Sequence, residues 1–376
     1  MANPDIFMRR AFRLAASGLG RTSPNPMVGA VVVRDGKVAG QGVHVYERKW
    51  HAERVALDEA GPEAKGADLH VTLEPCSHQG RTPACADAIV AAGVRRVFCG
   101  MVDPNPLVSG RGIERLRSAG IRVELAADPA PFLELNRAFV KFITRRRPWV
   151  VLKAALTLDG RIAPASGRSR WITGEKAREC GQFLRFQADA ILVGRGTATA
   201  DDPLLSCRYK RPRPRPLLRV VLDPELGLSL ESRLVRTAGE WPLQVFCRPG
   251  AAPDRRQRLE AAGVRVSEAA AGPDGVLDLD GVLEQLAGQG IASLLVEGGG
   301  RTLTEFVRQG QADEFDFFYG PTLLGGEALP VLGGLGRPEL DESPRLRVRR
   351  VRRLGPDFLV HGFFPPREPC ASPEIE

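Results

Sequence analysis

Three side chains with metal-ligand chemistry stand far apart along this chain, and only a layered fold brings them to one point. His51 heads HAERVALDEA (residues 51 to 60), a helix-forming run closed by Gly61-Pro62. Cys76 follows the strand-like LHVTL (69 to 73), and Cys85 comes nine residues later. One imidazole and two thiolates are three of the four ligands of a tetrahedral Zn²⁺, with the fourth position open to water. Glu53 lies two residues beyond His51 on the same helix and points elsewhere, so it is read as the proton carrier and not as a ligand. A Zn²⁺-bound water has its pKa lowered toward ~7, and a nearby carboxylate can pass its proton to a ring nitrogen and then to departing ammonia. This is the zinc-deaminase pattern, with one departure. The usual C-x-x-C is replaced by the eight residues SHQGRTPA between Cys76 and Cys85. A lone His, or two Cys nine apart, would be read as core or surface residues; the meaning comes from the combination at a helix start and a strand end.

The surrounding pattern supplies the layers. Phe7, Ala11, Leu14 and Ala15 recur at helical spacing before Gly18 and Gly20, and VGAVVV (28 to 33), Asp35-Gly36 and residues 37 to 43 read as a β-hairpin. Strands at 69 to 73, 94 to 99 and 121 to 125 then alternate with helices at 83 to 92 and 111 to 119, which predicts an α/β domain with parallel strands. RRRP (145 to 148) marks a boundary before the apolar WVVLKAAL, and further strand signals fall at 149–156, 189–194, 217–222, 243–247, 264–266, 292–296, 315–319 and 357–364. The division is therefore residues 1–145, residues 146–365 and a frayed tail at 366–376. A length of 376 residues suits two domains, and 43% hydrophobic with 26% charged residues is ordinary soluble composition.

The net charge of +8 suits small anionic ligands and is too modest for a nucleic-acid binder. No apolar run approaches the ~18 residues of a membrane span, and Arg9, Arg10 and Arg13 occupy the place of a signal peptide's apolar stretch. Seven cysteines are sparse and odd in number, which with these features predicts a cytoplasmic protein. The arginines between Arg345 and Arg353 alternate partly with Leu346, Val348 and Val351 and read as a half-exposed strand. Within the proline-stiffened basic loop RYKRPRPRP (208 to 216), the RPRPRP stretch has no aromatic interleaving that would stack on bases.

In the second part, LLVEGGGRT is an apolar strand ending in Glu297 and three glycines, followed by a helical pattern at Leu303, Phe306 and Val307. Glycines at such a turn let a pyrophosphate approach the backbone N–H groups at the helix start. The string is not G-x-G-x-x-G, and a strand-to-helix turn also uses glycine for steric reasons. VGRGT (193 to 197) is a second glycine turn of the same kind.

Taken together, these strings resemble one family, the bifunctional deaminase–reductase of riboflavin biosynthesis. SPNPMVGAVVV (23 to 33), HAE (51 to 53), LEPCSHQGRTPAC (73 to 85) and MVDPNPLVSGRG (101 to 112) look like its deaminase half. LKAALTLDGRIA (152 to 163), SRWITG (169 to 174), DAILVGRGTATADDPLL (189 to 205) and LLVEGGGRTL (294 to 303) look like its reductase half, so the likeness covers residues 1 to 365. It implies a cytidine-deaminase-like three-layer domain followed by a dihydrofolate-reductase-like α/β domain. The implied cofactors are Zn²⁺ and NADPH, and the implied substrate is a diaminopyrimidinone carrying a phosphoribosylamino group. That substrate is deaminated to the uracil, and its opened ribose is then reduced to a ribityl chain. Asn25 matches a substrate-facing asparagine, while His44 and His78 are either substrate contacts or solvated loop residues. Ala155, Trp171, Thr197, Asp201 and the run Gly299, Gly300, Arg301, Thr302, Leu303, Thr304, Glu305 match cofactor-contacting positions. Ser169, Arg185, Leu205, Arg208 and Glu297 match substrate-contacting ones, with Arg185 and Arg208 suited to phosphate. Lys153 and Glu297 are placed to supply and accept the proton that accompanies hydride transfer, although such a pair also reads as a plain salt bridge. The likeness further implies a homo-oligomer joined through the reductase domain. YERKW (46 to 50) stands where the family has a small glycine-containing turn, which predicts an altered entrance to the zinc site. Two rivals are an RNA-editing zinc deaminase, weakened by the Cys76–Cys85 spacing and the modest charge, and a chain whose second half is only a dimerisation module.

Overall fold

The computed structural model describes residues 4–47, 50–78, 83–106, 108–167, 171–336 and 339–365. The chain divides into two compact units, Met1–Arg147 and Pro148–Glu376. Among the described residues no helix is long and apolar enough to cross a membrane.

Unit 1 runs α1 (Pro4–Ser17), β1 (Gly29–Arg34), β2 (Lys37–Val43), α2 (Ala52–Ala60), β3 (Asp68–Val71), α3 (Cys85–Ala91), β4 (Arg96–Cys99), α4 (Arg111–Ser118), β5 (Arg122–Leu125), α5 (Ala130–Leu135) and α6 (Arg137–Arg145). Its sheet has the order β2-β1-β3-β4-β5, antiparallel as far as β3 and parallel from β3 to β5. The hairpin turn has Asp35 at φ 48° and Gly36 at φ 76°, the mirror-image turn that matches strand twist.

Strand alternation sends the two sides of β1 into different layers. Val31 and Val33 pack with Ala11 of α1, while Ala30 and Val32 pack with Ala52 and Ala56 of α2. Both helices approach closely because glycines face them. A Cβ on Gly29 would stand 2.1 Å from the Ala11 carbonyl oxygen, and one on Gly42 would stand 2.0 Å from that of Ala52.

The sequence expectation has no helix between residue 125 and the boundary, whereas the structure forms α5 and α6 there. Pro129 is the N-cap of α5 and Pro131 lies in its first turn, where proline gives up an N–H that has no intrahelical partner.

Unit 2 runs β6 (Trp149–Thr157), β7 (Arg161–Ala163), α7 (Glu175–Gln187), β8 (Ala190–Gly194), α8 (Arg195–Asp201), β9 (Leu218–Leu222), α9 (Arg233–Arg236), β10 (Leu243–Cys247), α10 (Pro253–Ala261) and β11 (Arg265–Glu268). It continues through α11 (Leu279–Gly288), β12 (Ser293–Val296), α12 (Gly300–Arg308), β13 (Glu314–Gly320), β14 (Leu329–Pro330), β15 (Arg347–Leu354) and β16 (Asp357–Phe363). Nine strands order as β11-β10-β9-β8-β12-β6-β13-β16-β15, parallel from β11 to β13. Cores lie on both faces: Leu152, Leu192, Val220 and Val296 pack with α11 and α12, and Ile191, Val193 and Val221 pack on the opposite side. A sheet covered twice explains why these strands read as continuous apolar runs.

β15 departs from the half-exposed strand expected. Arg347 through Arg353 are all exposed, because β15 is the sheet edge and a register shift between Val348 and Arg350 breaks the alternation. The basic loop has a structural task at one residue. Arg213 donates to the carbonyls of Arg185, Phe186 and Ala188 at 2.7, 2.6 and 2.7 Å, closing the end of α7.

The close approach of α2 to the hairpin generates a prediction. Gly42→Ala must push α2 outward, so the urea midpoint of unit 1 should fall by the equivalent of about 1–3 kcal/mol. Because His51 heads α2, the zinc content of the purified variant should fall with it; both are read by a urea titration and metal analysis.

Candidate active sites

In unit 1 the three expected ligands meet. His51 immediately precedes α2, Cys76 follows β3 and Cys85 opens α3. His51 Nδ1 lies 3.2 Å from Cys85 Sγ and 3.6 Å from Cys76 Sγ, and the three ligand atoms all fall within 4.8 Å of one another. Zn–S and Zn–N bonds of about 2.3 and 2.0 Å in a tetrahedron place ligand atoms roughly 3.5–3.8 Å apart, so the donor set fits zinc. The Cys85 N–H also donates to Cys76 Sγ at 3.3 Å. The Cys76 thiol is held low, to about 4, by its hydrogen bond with Cys85, against burial and with help from His51. Glu53 is 4% exposed, and burial raises its carboxyl to about 7 against the opposing charge of His51. A carboxyl poised there can both take and return a proton.

Asn25 joins this cluster through His44. Its Nδ2 lies 3.1 Å from His44 Nε2, and His44 Nδ1 lies 3.2 Å from the Trp50 carbonyl oxygen. Only a donor suits that carbonyl, so Nδ1 carries the proton and Nε2 accepts from Asn25. Burial, and then the charge of His51, lower the pKa of His44 and favour this neutral ring. Its ring meets that of His51 edge-on at 5.5 Å. Asn25 is exposed, which leaves its amide oxygen available. Trp50 of the YERKW segment thus fixes the His44 tautomer; Arg48 and Lys49 lie outside the described residues, as do Gln79 to Thr82 between the cysteines. His78 is exposed.

Two positioning residues are absent from the sequence expectation. Glu74, buried just before Pro75-Cys76, accepts backbone N–H bonds from Asp103, Gly110, Gly112 and Ile113 at 3.0, 2.9, 2.8 and 3.3 Å. It ties the ligand loop to the start of α4, where a Cβ on Gly112 would stand 1.9 Å from the Pro75 carbonyl oxygen. Asn136, at the α5–α6 junction, accepts from Met27 N at 2.7 Å and donates to Met27 O at 3.1 Å, anchoring the Asn25 loop. The glycines of MVDPNPLVSGRG were a signal for the first; nothing local in the sequence marks the second.

Unit 2 holds a cavity of about 1130 Å³ at the carboxyl ends of β6, β8, β9 and β12. Ala155, Thr197, Asp201 and Gly299 line it, as does the exposed side of α12's first turns from Gly300 to Thr302 and at Thr304 and Glu305. Leu303 does not; it is fully buried in the core. Thr197 Oγ1 accepts from Gly299 N at 2.9 Å, joining the two glycine turns. A Cβ on Gly194 or Gly298 would meet Thr302 within 2.3 and 2.6 Å, so glycine there serves packing. The start of α12 has no side-chain cap, leaving its first N–H groups at the wall for an anion.

Lys153 and Glu297 also line the cavity, 3.4 Å apart. Arg185 was expected to present its fork to a phosphate, but it gives that fork to Glu297 at 2.7 and 3.0 Å and its remaining end to Ser206 O at 2.8 Å. Burial would raise the Glu297 carboxyl, but the charges of Arg185 and then Lys153 hold it at about 2. Glu297 is therefore a fixed anion, and Lys153 is the member of the pair with a proton to donate. The Ser206 bond brings Leu205 and Arg208 toward this cluster; Leu205 is buried at φ 51°, and Arg208 is exposed with its N–H on Gln182 Oε1. Trp171 is 71% exposed under the Arg178 guanidinium and does not line the cavity. Ser169 lies outside the described residues.

With this geometry established, comparisons with known proteins are specific. Residues 148–360 match the family model "RibD C-terminal domain", and residues 1–101 match the "Cytidine and deoxycytidylate deaminase zinc-binding region". The chain is similar to the riboflavin biosynthesis protein RibD of Aquifex aeolicus (42% identical over 358 residues, 95% of this chain and 97% of the relative). It is similar also to that of Escherichia coli (39% over 371 residues, 95% and 98%). Among solved structures it resembles Acinetobacter baumannii RibD, with TM-score 0.86 and 35% identity over 96% of this chain and 98% of that one. It also resembles a diaminohydroxyphosphoribosylaminopyrimidine deaminase/5-amino-6-(5-phosphoribosylamino)uracil reductase from Thermotoga maritima, with TM-score 0.82 and 36% identity over 96% and 98%.

The ligand geometry yields a direct test. Purified protein should carry about one Zn²⁺ per chain, as three protein ligands and an open position require, and the Cys76→Ser/Cys85→Ser double variant should carry none by metal analysis. Full occupancy in that variant would exclude the site.

Proposed function

The chain belongs to the RibD family of riboflavin biosynthesis proteins, and from that premise we infer how its two sites divide the work of a bifunctional deaminase and reductase. We assign deamination to residues 1–145 and reduction to residues 146–365. The substrate is 2,5-diamino-6-(5-phosphoribosylamino)pyrimidin-4-one, hydrolysed to the uracil and then reduced at its ribosyl group. The observation that carries the first assignment is the convergence of His51, Cys76 and Cys85 beside buried Glu53.

His51, Cys76 and Cys85 would hold zinc, which supplies the Lewis acidity that lowers a water's pKa from ~15.7 toward ~7. Asn25, oriented by His44, offers its amide oxygen to the pyrimidine edge. Glu53 takes one proton from the attacking water and gives it to the ring nitrogen, where it stays; it then carries the second proton from the newly added hydroxyl to the amino group. The C–N bond breaks, the carbonyl of the uracil forms, and ammonia leaves.

In unit 2 the N–H groups at the start of α12, from Gly300 to Thr302, with Gly299, Thr197 and Asp201 at the wall, would hold NADPH, which supplies the hydride. Lys153 donates the proton that completes reduction of the imine of the opened ribose, while Glu297, ionised by Arg185, keeps the ammonium in place. Arg208 is the cation left for the substrate phosphate. We further infer a homo-oligomer joined through unit 2, supported by the exposed Val348 and Val351 on edge strand β15. Its six free described cysteines favour the reducing cytoplasm.

Ammonia release and cofactor oxidation, followed together on the diaminopyrimidinone with and without NADPH, test the division. Glu53→Gln should retain zinc while ammonia release falls by on the order of 10² to 10⁴. Lys153→Ala should spare ammonia release and abolish cofactor oxidation. Cys76→Ser should reduce the deaminated intermediate at nearly the unmutated rate yet leave NADPH untouched when given the diaminopyrimidinone. Oxidation of NADPH by that variant at equal rates with both compounds would reverse the reaction order.

A further inference from the structure

Among the described residues, two groups of side chains bring three metal-ligand atoms within 4.8 Å of one another. One is the zinc site of unit 1. The other is Glu314, Asp316 and His361 of unit 2, to which no role has been assigned above. Glu314 and Asp316 are two apart on β13 and so point to the same side of the sheet, while Phe315 and Phe317 enter the core on the other. His361 of β16 is the register partner of Asp316. Its Nδ1 lies 3.1 Å from Asp316 Oδ1 and 3.6 Å from Glu314 Oε1. Metal bonds of about 2.1 Å place neighbouring ligand atoms roughly 3.0 Å apart at right angles and roughly 3.4 Å apart in a tetrahedron, so the three atoms stand at ligand spacing.

Burial and the surrounding shell separate this group from a solvated acidic patch. The Glu314 and Asp316 side chains are 5% and 6% exposed, and the imidazole, at 22%, is the side open to water. A single Nδ1–H serves one carboxylate well, yet two converge on this nitrogen, as they would on a cation held between the three groups. Trp149 of β6 donates its indole N–H to Glu314 Oε2 at 2.8 Å and leaves Oε1 facing His361, which is how outer partners orient a carboxylate ligand. Phe363 meets the rings of Trp149 and His361 edge-on at 6.3 and 5.4 Å and makes an apolar wall beside the group. The cations level with it in the sheet are otherwise directed. Lys153, the register partner of Asp316 on β6, is held by Glu297, and Arg350, the register partner of His361 on β15, is exposed.

Glu314, Asp316 and His361 do not line the cavity of unit 2, so an ion among them stands apart from the cofactor. Two carboxylates and one imidazole, with no thiolate, suit a borderline divalent ion such as Mn²⁺ better than Ca²⁺ or Mg²⁺, which take oxygen ligands. We propose that Glu314, Asp316 and His361 form a second divalent-cation site, of the Mn²⁺ class, whose ion staples β16 to β13. The two thiolates of the first site keep zinc there, and the second site fills and empties independently of it.

Titration of the full-length, zinc-loaded protein with Mn²⁺ alone, after dialysis to remove loosely held metal, tests the site, the free ion being read by its electron paramagnetic resonance signal. The unmutated chain should bind about one Mn²⁺ in addition to its zinc, and about a 100-fold excess of Mg²⁺ should leave it bound, because Mg²⁺ gains little from an imidazole. Asp316→Asn and His361→Gln should each weaken Mn²⁺ by at least about 10-fold. Trp149→Phe removes no ligand and should still weaken it by about 10- to 100-fold, which keeps the test alive where a ligand variant does not fold. The Cys76→Ser/Cys85→Ser variant should bind Mn²⁺ as the unmutated chain does. Mn²⁺ should raise the urea midpoint of the unmutated chain and leave that of Asp316→Asn in place. Absence of bound Mn²⁺, its displacement by Mg²⁺, its loss with the two cysteines, or undiminished binding in the Asp316, His361 and Trp149 variants would each overturn the assignment.

Discussion

Parallel strand pairing forces the carboxyl ends of neighbouring strands to one edge of a sheet, and both sites are built at such an edge. In unit 1 β3 and β4 pair in parallel, so the segments that leave them, bearing Cys76 and Asp103, emerge side by side. In unit 2 the parallel run of β6, β12, β8 and β9 does the same for Ala155, Glu297, Arg195 and Asp223. The crossover helices required by parallel pairing cover the faces and leave the edge open, so the polar loops have one place to gather. A buried loop must still satisfy its own backbone, and Glu74 answers that need in unit 1 by accepting four N–H groups.

The charges of unit 2 follow from the same crowding. An isolated carboxylate at Glu297 would be costly to bury, and the bidentate Arg185 makes it tolerable. Arg185 is thereby consumed as a structural counter-ion, which sequence reading could not foresee because a guanidinium suits a phosphate and a carboxylate equally well. The cluster of Lys153, Arg185 and Glu297 keeps an excess positive charge. That excess favours an anionic substrate even though neither cation is a bare phosphate ligand.

Legibility in the sequence tracked how local the determinants are. The hairpin at Asp35-Gly36, the parallel strands and the metal ligands at a helix start and a strand end each carry a short-range signal: a turn dipeptide, an apolar run, or a residue type with few alternative uses. The helix α5 was hidden because its prolines act differently at a first turn than in an interior. The edge position of β15 was hidden because strand order is a long-range property, which alternation of Arg and Val along one strand does not encode. Leu303 shows the same limit on a smaller scale. It sits inside a run of cavity-facing residues, yet helical periodicity turns it into the core.

The Asn136–Met27 clamp is the most non-local device in unit 1, and its geometry explains why it is needed. Asn25 stands between two prolines, Pro24 and Pro26, neither of which has an N–H to anchor the loop. Asn25 N itself donates to Thr22 O, but its side chain is useful only if the loop holds one position relative to His44. The next residue with both an N–H and a C=O to offer is Met27, and Asn136 takes both. A primary amide carries its acceptor oxygen and its donor nitrogen side by side, so it can accept from the N–H and donate to the C=O of the same residue. The residue that positions Asn25 therefore comes from more than a hundred positions away in sequence, and α5 and α6 carry it back to the edge where the metal ligands lie.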